Sequence, residues 1–263
     1  PAVRRSSSEA EEDRHSPKLS SADTSLFRSV TMRAVYLAQD RQDIAEATKN
    51  LSREMKEPSE ASMRDLKRLG RYLKHRPRLV AVFQAQRMPE TLQAYGDSDH
   101  AGCLKTRRST TGVGVMLGSH LLKTYSQVQS TISLSSGESE YYAMLKASAT
   151  GLALRAMLED WGIQLKLQVL SDSSAARGLV ARRGLGKARH IQTRYLWLQE
   201  RVAEKDLQVI SVPTSVNIAD LFTKSLTEQR ILELLALMNL EFRDGRAETA
   251  KRLIHSHEDP RQR

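Results

Sequence analysis

Four acidic residues stand where a fold could bring them together: Asp97, Glu140, Asp172 and Asp220. The surrounding pattern puts Asp97 at the end of one strand and Asp172 at the end of another. It puts Glu140 in the first turn of a long helix and Asp220 early in the last helix. Carboxylates at strand ends and helix starts can converge at one edge of a sheet. Held close, they repel and raise one another's pKa unless a cation neutralises them. Hard divalent ions such as Mg²⁺ take oxygen ligands, only a few of them from protein. Two such ions about 4 Å apart activate a water and stabilise the leaving oxygen in phosphodiester cleavage. The chain has 31 Asp and Glu, so on residue types alone the four also fit scattered surface acids.

Helical spacing separates neighbours. Glu140, Ala143, Ala147, Gly151, Leu154, Leu158 and Trp161 share one face, small at its start and bulky at its end. Glu138 lies two residues back and points elsewhere, as a helix-start charge serving the dipole. Asp97 and Asp99 share a strand face. Asp99 reads as a secondary ligand or as a turn-capping carboxylate.

The elements that must position these groups begin near Leu92. Leu92–Gly96, Thr111–Leu117 and His120–Gln127 read as three strands of an antiparallel meander, with a turn at Gly118–Ser119. A helix follows from Gly137 to Trp161 and stops at Gly162. Leu165–Leu170 is a fourth strand and Ser173–Val180 a short helix. Residues 181–189 form a basic, glycine-containing loop, and His190–Ala203 is helical. Leu207–Val212 is a fifth strand, stopped by Pro213. A last helix capped by Thr214 or Ser215 is expected to carry Asn217–Leu221 and run toward Leu240. A meander followed by alternating units is a mixed α/β (α+β) arrangement with helices on both faces of one sheet.

Residues 1–25, rich in Ser, Glu, Asp and Arg, are expected to be a disordered linker. Residues 26–90 read as a small helical segment. Pro58 breaks one of its helices and Ser59 caps the next. That helix buries Met63, Leu66, Leu69 and Leu73, and carries Arg64, Lys67, Arg68, Arg71 and Lys74 on another face. The basic stripe fits phosphate contact or a solvated helix face. Residues 91–228 form the main domain, and 229–263 a C-terminal helix and basic tail.

The 263 residues carry a net charge of +10, which fits a polyanionic partner or a merely soluble basic protein. Cys103 is the sole cysteine, so the chain holds neither an internal disulfide nor a Cys/His zinc cluster, in keeping with a reducing, intracellular compartment. No apolar run is long enough to span a bilayer.

Several ordered motifs resemble the C-terminal part of the copia-type retrotransposon Pol polyprotein. They are Gly96-Asp97-Ser98-Asp99-His100-Ala101-Gly102 with Thr106–Gly112, Leu134-Ser135-Ser136-Gly137-Glu138-Ser139-Glu140-Tyr141, and Leu170-Ser171-Asp172-Ser173-Ser174. Arg189-His190-Ile191, Val212-Pro213-Thr214 and Ala219-Asp220-Leu221-Phe222-Thr223-Lys224 complete the order. Upstream, Tyr36-Leu37-Ala38, Asp43-Ile44-Ala45, Leu51-Ser52-Arg53 and Arg71-Tyr72-Leu73-Lys74 resemble the connection from reverse transcriptase to ribonuclease H. No Tyr-x-Asp-Asp polymerase motif is present.

The resemblance implies a ribonuclease H-like fold with sheet order 3-2-1-4-5. It implies endonucleolytic cleavage of RNA in RNA–DNA hybrids by two Mg²⁺ (or Mn²⁺) ions, with Asp97, Glu140, Asp172 and Asp220 as catalytic metal ligands. The hybrid would be read by near-A-form shape and 2′-hydroxyls. Arg107, Arg108, Arg182, Arg183, Lys187, Arg189 and His190 become candidate nucleic-acid contacts. The remainder of a Pol polyprotein becomes a candidate partner, and virus-like particle, cytoplasm and nucleus become candidate locations. His100 stands where the family usually has Trp, Gln192 where Asp is common, and Gln42 where Pro is usual. The loop 213–216 lacks the histidine that many cellular ribonucleases H carry there. These departures and the missing polymerase leave an alternative, a captured nucleic-acid-binding module of weak or no activity. A different nuclease on the same fold is a third reading.

Overall fold

The computed structural model describes residues 15–103, 105–184, 186, 190–191 and 193–245. Most of the expected linker, most of the basic tail, and Lys187 and Arg189 lie outside these residues.

Alternating apolar residues make β2 (Thr91–Asp99), which pairs antiparallel with β3 (Thr110–Leu117); β3 in turn pairs antiparallel with β4 (His120–Val128). On its other side β2 runs parallel to β5 (Lys166–Ser171), and β5 parallel to β6 (Gln208–Ser211). The order β4-β3-β2-β5-β6 is the mixed five-stranded arrangement implied by the resemblance. Sheet twist and parallel pairing leave the C-terminal ends of β2 and β5 side by side, the usual place for a site in such sheets.

Both faces of the sheet are covered. The long helix α4 (Ser136–Asp160) lies across β2 and β3, and its Tyr141, Met144 and Ala147 join Leu92, Ala94, Val113, Val115, Leu167 and Val169 in one core. The small stripe lets α4 approach the sheet closely: a Cβ on Gly151 would lie 2.6 Å from the Leu167 side chain. On the opposite face Met116 packs with Ile218, Leu221, Phe222 and the helix α7 (Glu228–Leu237). Here a Cβ on Gly112 would come within 2.5 Å of the Ala219 carbonyl oxygen, so only glycine lets that segment seat against β3. Burial of apolar area on both faces is the main stabilising term.

The segment after β6 departs from the single helix expected of it. Thr214–Val216 and Ile218–Phe222 are short 3₁₀ turns, and α7 starts separately at Glu228. Asn217 interrupts the chain: its buried side chain accepts the Ala219 N–H and restarts the turn. Thr227 then caps α7 by accepting the Arg230 N–H. The segment expected to be helical from His190 likewise opens as a 3₁₀ turn, Thr193–Leu196, before α6 (Trp197–Ala203). Between them on the chain, α5 is Ser174–Val180.

Upstream, α1 (Ser21–Leu37), α2 (Ala45–Arg53) and α3 (Glu60–His75) pack around Phe27, Ile44, Leu51, Leu66 and Leu69. Ser59 caps α3, and Arg64, Lys67, Arg68, Arg71 and Lys74 are exposed along it. A buried Arg41–Asp43 pair sits at 2.7 Å, and the Tyr72 hydroxyl donates to the same carboxylate at 2.8 Å. The upstream unit is joined to the segment that follows α7. Strand β1 (Leu79–Ala81) pairs antiparallel with β7 (Leu240–Phe242), and the Arg41 and Arg76 guanidinium groups lie over the Phe242 ring. No described helix is long and apolar enough to cross a membrane.

Candidate metal centre

Local sequence and packing deliver three acids to one place. Asp97 comes from the last turn of the β2 pleat and is 1 % exposed. Glu140 sits one turn into α4, whose start is held by Ser135 accepting the Glu138 N–H at 3.2 Å. The buried Gln129 amide nitrogen anchors that start to the sheet, 2.9 Å from the Ser139 carbonyl oxygen and 3.1 Å from the Thr111 hydroxyl. Asp172 follows β5, where it accepts from the Thr214 hydroxyl at 2.6 Å. One carboxylate oxygen from each of Asp97, Glu140 and Asp172 lies within 4.8 Å of the others. Among the described residues they form the one such group able to hold a metal ion.

The electrostatics are those of acids short of positive charge. Burial, then the neighbouring Asp97 and Asp172, push the Glu140 carboxyl up to about 9. Its Oε2 is buried and meets no hydrogen-bond donor. Burial also pushes Asp97 up, to about 6, although the Lys224 ammonium opposes it. An all-oxygen donor set with an orphaned buried oxygen fits a hard divalent cation, whose charge would replace the missing donors.

Asp220 is buried nearby and sits apart from this group. Its Oδ1 receives the Lys224 ammonium at 2.7 Å, and its Oδ2 lies 3.5 Å from the Arg230 guanidinium. The same ammonium reaches Asp97 Oδ1 at 3.1 Å, and the Thr223 hydroxyl donates to Asp97 Oδ2. Of these partners, Lys224 carries a sequence signal, its spacing of four from Asp220 on one turn. Thr223, Arg230, Thr214 and Gln129 are brought in by tertiary packing alone.

The other candidates take separate positions. Glu138 is fully partnered: it accepts from the Tyr142 hydroxyl at 2.6 Å, from the Leu134 N–H at 2.8 Å, and lies 2.9 Å from His190 Nε2. Burial alone would raise its pKa, yet the Tyr142 and His190 contacts outweigh burial and hold it below the ordinary glutamate value. His190 therefore contacts Glu138 at the start of α4. Asp99 accepts the Thr110 N–H and closes the pairing of β2 with β3. Arg107 and Arg108 are exposed on the connection between those strands, just beyond Asp97 and Asp99. Arg182 and Arg183 are exposed after α5, with Arg182 Nε donating to the Gly178 carbonyl at 2.9 Å.

A five-stranded mixed sheet of this order, carrying three converging acids at the ends of β2, β5 and the start of α4, defines a ribonuclease H-like domain. The chain is similar to retrovirus-related Pol polyproteins of plant transposons. It is 32% identical over 221 residues to the Pol polyprotein of transposon RE1 from Arabidopsis thaliana, covering 81% of this chain and 15% of that protein. It is 29% identical over 186 residues to the Pol polyprotein of transposon TNT 1-94 from Nicotiana tabacum, covering 70% of this chain and 14% of that protein. The chain thus spans about one seventh of the length of these curated relatives. No protein-family model matches it. Among solved structures, LC11-RNase H1, isolated from compost, is 16% identical with a TM-score of 0.36, over 51% of this chain and 93% of that one. LC11-RNase H1 has also been solved in complex with an RNA/DNA hybrid.

Proposed function

We propose that the chain is a metal-dependent ribonuclease H that hydrolyses the RNA strand of RNA–DNA hybrids. The carrying observation is the convergence of Asp97, Glu140 and Asp172 within 4.8 Å, with Glu140 Oε2 buried and unpartnered. One buried and two half-buried carboxylates, with one buried oxygen that meets no donor, make a poor structural device and a good seat for Mg²⁺ or Mn²⁺. Asp97, Glu140 and Asp172 are its ligands, and Asp220 is the remaining acid of the site. A bound divalent ion supplies positive charge for the scissile phosphate and lowers the pKa of the attacking water.

The chain's own groups do the rest. Thr214 and Thr223 fix the rotamers of Asp172 and Asp97, and Gln129 sets where α4 delivers Glu140. Arg107, Arg108, Arg182 and Arg183 contact the phosphate backbone, which anchors the hybrid without reading its sequence. Lys187 and Arg189 extend that basic set outside the described residues. The exposed α3 stripe lies on the upstream unit, which would meet the remainder of a Pol polyprotein.

The test is cleavage of a labelled hybrid with Mg²⁺ or Mn²⁺ by the chain and by its Asp172→Asn variant. Metal-dependent cutting by the chain and its loss in the variant is the expected result. An intact hybrid under conditions where a control enzyme cuts, with the protein folded, would replace this reading by that of a hybrid-binding module without activity.

A further inference from the structure

Positive charge is unevenly shared among the four acids. The Lys224 ammonium touches both Asp97, at 3.1 Å, and Asp220, at 2.7 Å, and Arg230 stands 3.5 Å from the far oxygen of Asp220. Asp172 meets a hydroxyl and an amide, from Thr214 and Asn217, and Glu140 Oε2 meets nothing. The centre is therefore divided into a half neutralised by the chain's own cations and a half that is not.

We propose that the Lys224 ammonium fills the position between Asp97 and Asp220 that a second divalent cation would need. This rests on the reading of the three acids as a metal centre. One divalent ion then binds tightly at Asp97, Glu140 and Asp172, and a second enters weakly, when Lys224 swings away. A fixed ammonium within hydrogen-bond distance of both carboxylates repels an arriving cation and occupies the oxygens it would use. Lys224 is also built to yield. Its side chain is 40 % exposed, and a flexible four-carbon stem can carry the charge into solvent without disturbing the backbone. Arg230 keeps Asp220 partly neutralised after such a movement. Lys224 is thus a positioning residue that sets metal stoichiometry.

The experiment is titration of the full chain with Mn²⁺ alone, following the free ion by electron paramagnetic resonance, for the wild type, Lys224→Met and Lys224→Arg. One tight equivalent is expected for the wild type and for Lys224→Arg. Lys224→Met is expected to gain a second equivalent bound roughly tenfold or more tighter than the wild-type second site, the scale of other neighbours of metal ligands. Removing the ammonium leaves Asp97 and Asp220 under-compensated, so melting is followed in parallel, and Mn²⁺ should raise the melting temperature of Lys224→Met more than that of the wild type. Two equally tight ions in the wild type, or unchanged second-site affinity in folded Lys224→Met, overturns the inference and leaves the metal centre standing. No Mn²⁺ bound by either folded protein overturns the metal-centre reading, and the inference with it. Should Lys224→Met fail to fold, the wild-type stoichiometry alone decides between one tight ion and two.

Discussion

The chain buries acidic groups in two regions and treats them in opposite ways. In the upstream helical unit, Asp43 is enclosed by two bonds from the Arg41 guanidinium, at 2.9 and 2.7 Å, and one from the Tyr72 hydroxyl at 2.8 Å. At the sheet edge, Glu140 is half-buried, with a buried oxygen that meets no donor and a carboxyl pushed up to about 9. Complete pairing makes a buried carboxylate a structural tie, because its desolvation is offset within the fold. Incomplete pairing leaves it either protonated or open to an outside cation. The same contrast recurs two residues apart on α4, where Glu138 is satisfied by Tyr142, His190 and the Leu134 N–H while Glu140 is left short.

The largest expected effect lies at the sheet edge. Glu140→Gln or Asp172→Asn should reduce hybrid cleavage by more than roughly 100-fold, since ligands matter more than their supporting neighbours. Glu140→Gln should at the same time melt no lower than the wild type in the absence of metal, because it removes an uncompensated acid. A drop in its melting temperature would mean that Glu140 is a structural group.

Next comes the upstream side. Asp43→Asn leaves the Arg41 charge buried and should cost about 3–5 kcal/mol in denaturant unfolding. Mn²⁺ affinity should stay unchanged in the folded fraction. A neutral result would show that the pair is solvated in practice.

The two regions also differ in how acidity acts on them. Glu140 and Asp97 have folded pKa values raised to about 9 and about 6, above the ordinary values of 4.5 and 3.8. The folded state then binds more protons than the unfolded one. The stability these groups contribute is present at low pH and is lost as pH rises through those values. Without divalent ions the melting temperature should fall between pH 5 and 9, and saturating Mg²⁺ should flatten that fall. A melting temperature indifferent to Mg²⁺ at pH 8.5 would count against the metal centre.

Smaller effects test the surroundings. Glu138→Gln weakens charge-assisted bonds from Tyr142 and His190 and should cost about 1.5–3 kcal/mol of stability, with metal affinity little changed. Arg107→Ala should weaken hybrid binding uniformly across sequences and reduce its salt slope by about one contact. No change in that slope would remove Arg107 from the interface.

Much of the architecture was legible along the chain. Alternation bounded by Gly118 and Pro213 marked the five strands within a few residues, and the small stripe Ala143, Ala147 and Gly151 marked the α4 face that meets the sheet. These are local signals, since strand and helix periods are written in consecutive side chains. Other features were not legible. The pairing of β1 with β7 joins residues far apart in sequence, each strand too short to show a pattern. The 3₁₀ turns around Asn217 replace a helix because the buried Asn217 side chain takes up the Ala219 N–H.

Local sequence pattern was enough to mark the five main strands, the long helix and the acids at their ends, because propensity, periodicity and turn chemistry act over a few residues. Tertiary structure alone decided how those acids are shared. It gathered Asp97, Glu140 and Asp172 within 4.8 Å, brought Arg230 to Asp220 and turned Lys224 toward Asp97 as well. It paired Glu138 with His190 across 52 positions. Coulomb interaction and desolvation depend on distance in space and on burial, and neither is written in the spacing of residues along a chain.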